Sequence, residues 1–136
     1  MDPEQNLATI RKAVELVNSR ELAELLTLFA PGGARHDLAG AYADFGLENA
    51  SDFLGELFRG APDMKLVLHD AFAAGDRVAT RITVEGTHDG QLFGRPGTGK
   101  RFSFNQLNIY RFTDQGKVIE TWQLADLAGF DAQVRG

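Results

Sequence analysis

The chain has 136 residues, no cysteine and a formal net charge of −5. That length suits one domain spanning residues 1–136, with a core that needs no metal or disulfide to hold it. Without cysteine there is no disulfide framework, thiolate metal site or cysteine nucleophile, and the acidic balance argues against a nucleic-acid partner. No apolar run approaches the ~20 residues of a membrane span. The N-terminal MDPEQNLATI lacks the apolar stretch of a signal peptide, so a soluble cytoplasmic protein is expected.

Asp2-Pro3-Glu4 reads as a helix start: a capping carboxylate, proline in the first turn and an acid near the positive dipole end. Leu7, Ile10, Val14 and Val17 follow at helical spacing. Leu22, Leu25, Leu26 and Phe29 predict a second amphipathic helix, ended by Pro31-Gly32-Gly33. Residues 34–46, which include His36, Asp37, Tyr42, Asp44 and Phe45, read as irregular. A third helix is expected from Asn49 or Ser51, burying Phe53, Leu54, Leu57 and Phe58, and stopped by Gly60-Ala61-Pro62. From Met64 onward the chain reads as strand: Met64 to Ala73, a turn at Gly75-Asp76, then Arg77 to His88 with Val78, Thr80, Ile82 and Val84 on one side. Gly90 to Gly99 is a glycine-rich connection. Helices followed by a mostly antiparallel sheet make an α+β fold, with the helices packed on one sheet face.

The stretch from Lys100 to Asp126 predicts two long strands joined at Thr113-Asp114-Gln115-Gly116. If Phe112 faces Lys117, then Tyr110 lies opposite Ile119, Asn108 opposite Thr121, and Gln106 opposite Gln123. One face then carries Gln106, Asn108, Thr121 and Gln123, ringed by Phe102, Phe104 and Tyr110. Amides and a hydroxyl set in an aromatic wall suit a small-molecule pocket, where apolar area supplies affinity and a few hydrogen bonds fix orientation. The other face carries Leu107, Ile109, Trp122 and Leu124, with Arg111 diagonal to Glu120. It is too apolar to stay wet, so helices are expected over the first face and a second subunit over the other.

Other signals are weaker. Gly94-Arg95-Pro96-Gly97-Thr98-Gly99-Lys100 matches the first seven positions of a phosphate-binding loop, but Arg101 stands where Ser or Thr is needed and a strand follows instead of a helix. His36, His88 and Asp37 lack metal-site spacing, and no metal is assigned. His36 is either a pocket-rim residue able to exchange protons near neutral pH or an exposed loop histidine. Arg81 either pairs with Glu85 on the surface or turns inward as an anion anchor.

Gly75-Asp76-Arg77-Val78, Gly86-Thr87-His88-Asp89-Gly90, Gly94 to Lys100, Ile109-Tyr110-Arg111-Phe112, Gly116 to Trp122 and Asp126, in that order, resemble the SnoaL-like polyketide cyclases of the nuclear transport factor 2-like superfamily. His36-Asp37 also falls where that family often carries such a pair. The resemblance implies a cone-shaped α+β barrel with a deep apolar pocket, often dimeric through its sheet. It also implies an intramolecular aldol ring closure without metal or cofactor. In the family an Asp after the Trp of the last strand is general acid and base, and a His on the neighbouring strand with an early polar residue helps position the substrate. Here those positions are Gln123, Asn108 and the neighbourhood of His36. An amide is no general base near neutral pH. Asp126 keeps a carboxylate, but strand parity places it on the Trp122 side. The fold-mates also include cofactor-independent hydroxylases of aromatic polyketides, which an amide-lined pocket suits. The Asp-Arg-Asp arrangement of limonene epoxide hydrolase is missing, because Arg81 is followed by Ile82 and Thr83.

The expected protein is therefore a cofactor-independent enzyme that cyclises or hydroxylates a polycyclic aromatic, polyketide-like substrate. His36, Asn108 and Gln123 are the candidate catalytic residues. Gln106, Thr121, Tyr110, Phe104, Arg81 and Tyr42 are the candidate substrate contacts. The alternatives are a non-catalytic module that binds hydrophobic ligands and a purely dimerising domain of the same fold.

Overall fold

The computed structural model describes residues 2–40 and 42–135. Helix α1 (Pro3–Asn18) begins as expected: the Asp2 carboxylate accepts the Glu4 N–H at 3.0 Å, and Pro3 occupies the first turn. Its buried stripe is Ile10, Leu16 and Val17. The helix ends beside Arg20, whose φ of 64° lies in the left-handed region and turns the chain into the short α2 (Leu22–Leu26). No helix among the described residues is long and apolar enough to cross a membrane.

The second helix stops short of Phe29, and the segment expected to be irregular is strand at both its ends. Strand β1 (Phe29–Asp37) runs through Pro31-Gly32-Gly33 and pairs in parallel with β6 (Val118–Ala125). The ladder breaks between Phe29 and Ala34, so Pro31 sits where its missing N–H is not required. Gly33 lies so close to its neighbours that a Cβ there would meet the Ile119 carbonyl at 2.9 Å. Local breaker residues thus gave way to a long-range partner that lies more than 80 positions away in sequence. A two-residue strand, β2 (Phe45–Gly46), pairs with β1, and a 3-10 turn (Leu47–Asn49) leads into α3 (Ala50–Gly60).

Strands β3 (Lys65–Ala74), β4 (Arg77–Thr87) and β5 (Arg101–Phe112) complete a six-stranded sheet in the order β2-β1-β6-β5-β4-β3. Every neighbouring pair is antiparallel except β1–β6. This is the α+β arrangement expected. On β4, Val78, Thr80, Ile82 and Val84 are all buried, as their alternation predicted. Ile82 and Val84 meet Phe102, Phe104, Met64 and Leu92 in one core cluster, and Val78 joins Ile10, Leu47, Phe112 and Val118 in another.

The β5–β6 hairpin keeps the expected faces but not the expected register. Phe112 pairs with Val118 rather than Lys117, and an irregularity follows at once, with Arg111 opposite Glu120. Ile119 is the extra residue of a bulge. Val118 is therefore buried on the inner side, and beyond the bulge Tyr110 faces Thr121, Asn108 faces Gln123 and Gln106 faces Ala125. The chain also does not end in strand. Asp126 accepts the Gly129 N–H at 2.9 Å and starts helix α4 (Leu127–Val134), which buries Phe130 and Val134. Eight residues with a capping Asp are a weak signal beside a long strand, and the Asp126 carboxylate serves as the cap.

The connection from Gly90 to Gly99 wraps the buried His88. Its imidazole meets the Thr98 hydroxyl at 3.1 Å and the Arg95 carbonyl at 3.2 Å, while the Thr98 and Gly99 N–H groups donate to the His88 carbonyl. Phe93 in this loop has a φ of 51°, a costly conformation for a side chain of its size. There it packs edge-on against Phe104 and Phe130.

Candidate functional site

The inner sheet face, α1 and α3 enclose a cavity of about 170 Å³. Most of its wall is apolar, from Phe53, Leu54, Met64, Phe104 and their neighbours. Its polar residues come from three adjacent strands. In β1, Arg35 sits level with Thr121 of β6, and Asp37 with Gln123. In β5, Asn108 sits level with Gln123, and Tyr110 with Thr121. Level neighbours share a face, so these six side chains line one wall, with Gln106 and Tyr42 beside them.

Arg35 is the most unusual of them, at 8 % exposure. Its Nε and Nη2 donate to Gln123 Oε1 at 3.2 and 2.7 Å, and its Cζ lies 5.0 Å from the Phe45 ring centre and 4.8 Å from that of Phe53. Its third nitrogen, Nη1, has no partner among the described residues. A buried donor left unpaired costs about 1–3 kcal/mol, and more when it is charged. Burial pulls this guanidinium below its ordinary value, opposed chiefly by the Asp37 charge. Since Gln123 Oε1 accepts from Arg35, its amide nitrogen remains as a donor.

Asp37 is pinned by the chain that follows it. One oxygen accepts the Ala39 N–H at 3.2 Å and the other the Tyr42 N–H at 2.8 Å. On the neighbouring strands, Asn108 Nδ2 donates to Thr80 Oγ1 at 3.2 Å, and that hydroxyl reaches the Tyr110 oxygen at 3.4 Å. The relay leaves Asn108 Oδ1 and the Tyr110 hydroxyl proton for a ligand. Burial is the main cause that raises both phenols, Tyr42 to about 12. Both are therefore neutral donors near pH 7. Tyr42 stands edge-on to Phe53.

Of the residues singled out from the sequence, Gln106, Asn108, Tyr110, Thr121, Gln123, Phe104 and Tyr42 all line this cavity. His36 and Arg81 do not. His36 as a pocket residue is corrected by the parity of β1: its neighbours Arg35 and Asp37 point inward, so it points out. On the outer face it stacks on Trp122, with Nε2 2.7 Å from Glu120 and Nδ1 2.8 Å from Asp44. Hydrogen bonds to Asp44 first, then Glu120, hold its pKa above the ordinary imidazole value. Glu120 also accepts from Arg111, which lies directly opposite it rather than diagonal. Arg81 as a substrate contact is corrected in the same way. It lies on the outer face and pairs with Asp70 at 2.7 Å, not with Glu85. Sequence reasoning missed Arg35 and Asp37. Reading residues 34–37 as a strand would have found both, since alternation then separates them from His36.

A model of the SnoaL-like polyketide cyclase family matches residues 8–134. A search of curated proteins gives no match. Among solved structures, AclR, a candidate hydroxylase from Streptomyces galilaeus, is 25% identical with a TM-score of 0.85, covering 98% of this chain and 97% of that one. Wild-type IdmH, a candidate polyketide cyclase from Streptomyces antibioticus, is 31% identical with a TM-score of 0.84, covering 95% and 97% respectively.

Proposed function

Because this chain belongs to the SnoaL-like polyketide cyclase family, we propose that it is a cofactor-independent enzyme that closes a ring in an aromatic, polyketide-like substrate held in the cavity. The observation that carries this reading is the carboxylate of Asp37 standing level with Gln123 on the adjacent strand, the one carboxylate among the described residues that line the chamber. The proton acceptor absent at position 123 is supplied one strand over. Asp37 takes the proton from a carbon flanked by two carbonyls. That carbon then adds to another carbonyl of the same molecule, forming the C–C bond, and the resulting alkoxide takes the proton back. Atoms are conserved, and no oxidant or reductant is consumed. Gln123, Asn108 and Gln106 orient the substrate oxygens, with Tyr110, Thr121 and Tyr42 as further polar contacts and Phe104 as apolar wall. His36, facing away, has no part in the proton transfer.

A second reading, hydroxylation with dioxygen as oxidant, draws on the likeness to AclR and on the amide at position 123. Oxygen uptake during turnover separates the two. The cavity volume is close to the ~150 Å³ that admits a single benzene ring, so the reacting end of a larger substrate sits inside and the rest lies toward the mouth. A soluble anthraquinone ligand raises the melting temperature as its concentration rises. No shift at any concentration would count against the chamber as a binding site, and a shift without turnover would favour the carrier reading.

We also propose that a second copy covers the outer sheet face, where Phe72, Leu107, Ile109 and Leu124 are exposed. Light scattering then gives twice the 14.9 kDa chain mass. A monomeric mass at micromolar concentration would rule this out.

A further inference from the structure

We infer that Arg35 is the anchor for an ionised oxygen on the ligand, so that the substrate class is an aromatic acid or a compound of equivalent anionic character. The inference rests on the cavity being the ligand site, and it adds what the ligand must carry.

Three observations lead there. The guanidinium is more than nine-tenths buried and lines the cavity. Among the described residues no carboxylate lies within ion-pairing distance of it; its direct partner is the neutral amide of Gln123, which engages Nε and Nη2. Nη1 has no partner among the described residues. An arginine that served only to hold the fold would be expected to close its ion pair within the protein. This one instead gives Nε and Nη2 to an amide and lies over the Phe45 and Phe53 rings, with Nη1 unpaired among the described residues. A fixed, desolvated guanidinium is suited to a carboxylate or a comparable oxyanion. The surrounding donors fit the same need: the Gln123 amide nitrogen and the Tyr110 hydroxyl line the same wall. Asp37 balances the charge from two positions away, but both its oxygens are already held by backbone N–H groups.

A matched pair of two-ring probes tests this, naphthalene-2-carboxylate and the isosteric, neutral naphthalene-2-carboxamide, by titration calorimetry at pH 7. The wild-type protein binds the carboxylate at least ~10-fold more tightly, the scale of one charge-assisted hydrogen bond gained. Arg35→Gln removes that preference while carboxamide affinity changes little, and Arg35→Lys retains part of it. Equal or tighter binding of the carboxamide by the wild type overturns the anion assignment but leaves the chamber as a ligand site. A preference that survives Arg35→Gln overturns it as well, because the anion would then sit elsewhere. Binding of neither probe overturns both the chamber and the assignment. If Arg35→Gln fails to fold, the wild-type comparison and the lysine variant decide.

Discussion

Asp37→Asn lowers turnover by roughly 10²–10⁴-fold, the usual contribution of a positioned general base, while affinity for an anthraquinone ligand changes by less than about threefold. The split follows from the geometry. Asparagine keeps the shape and one carbonyl oxygen, so it can still accept from the Ala39 or Tyr42 N–H that holds residue 37 in place. The loop from β1 into residue 42 therefore keeps its path, and the cavity keeps its wall. What disappears is one of the two backbone hydrogen bonds, at a cost of about 1 kcal/mol in stability, and proton affinity, since an amide cannot take up the substrate proton. A merely structural Asp37 would behave differently: the variant would lose stability and binding together and turnover only in proportion. Steady-state kinetics beside a binding isotherm separates the outcomes. Unchanged turnover would remove Asp37 from the proton transfer and leave the chamber without a carboxylate that does it.

Phe130→Ala destabilises the protein by about 3–5 kcal/mol, the range for deleting a fully buried aromatic, which for a chain this size lowers the melting temperature by roughly 10–15 °C. Phe130 is 1% exposed, and α4 inserts it among four other rings. Its centre lies 5.0 Å from Phe93, 5.1 Å from Phe102, 5.4 Å from His88 and 5.8 Å from Phe104, all edge-on. Such contacts add stabilisation beyond area burial. The same deletion removes the support behind Phe93 and Phe104, both of which face the ligand chamber. Ligand affinity should therefore fall with stability. Calorimetric unfolding checks the first effect, and a loss below about 1 kcal/mol would mean that α4 contributes little to the core.

The helix start at Asp2, the alternation on β4 and the polar inner face of the last hairpin were all legible from residue order, because each is a local pattern. Gln106, Asn108, Thr121 and Gln123 share a face by parity alone, and parity survives a register change of two. The register itself was not legible. It depends on the bulge at Ile119, whose extra residue buries Val118 and brings Asn108 level with Gln123. The larger miss lay at residues 29–37. Proline and two glycines read as a stop, yet the segment gains a parallel partner in β6, and nothing local announces a partner that distant. Taking the segment as irregular removed its alternation, and with it the difference between His36 outside and Arg35 and Asp37 inside. The family resemblance pointed to His36-Asp37 but could not say which of two consecutive side chains faces inward. The final helix was lost for a related reason: Asp126 is legible as a cap only once β6 is known to end at Ala125.

The most direct measurement is a crystal structure of the protein grown with the anthraquinone ligand used for the melting shift. Density for an aromatic ring should fill the chamber between Phe53 and Phe104, with ligand oxygens in hydrogen-bond range of the amide of Gln123 and the free nitrogen of Arg35. A ligand resting only on the outer sheet face, with the chamber closed by repacked side chains, would contradict the account.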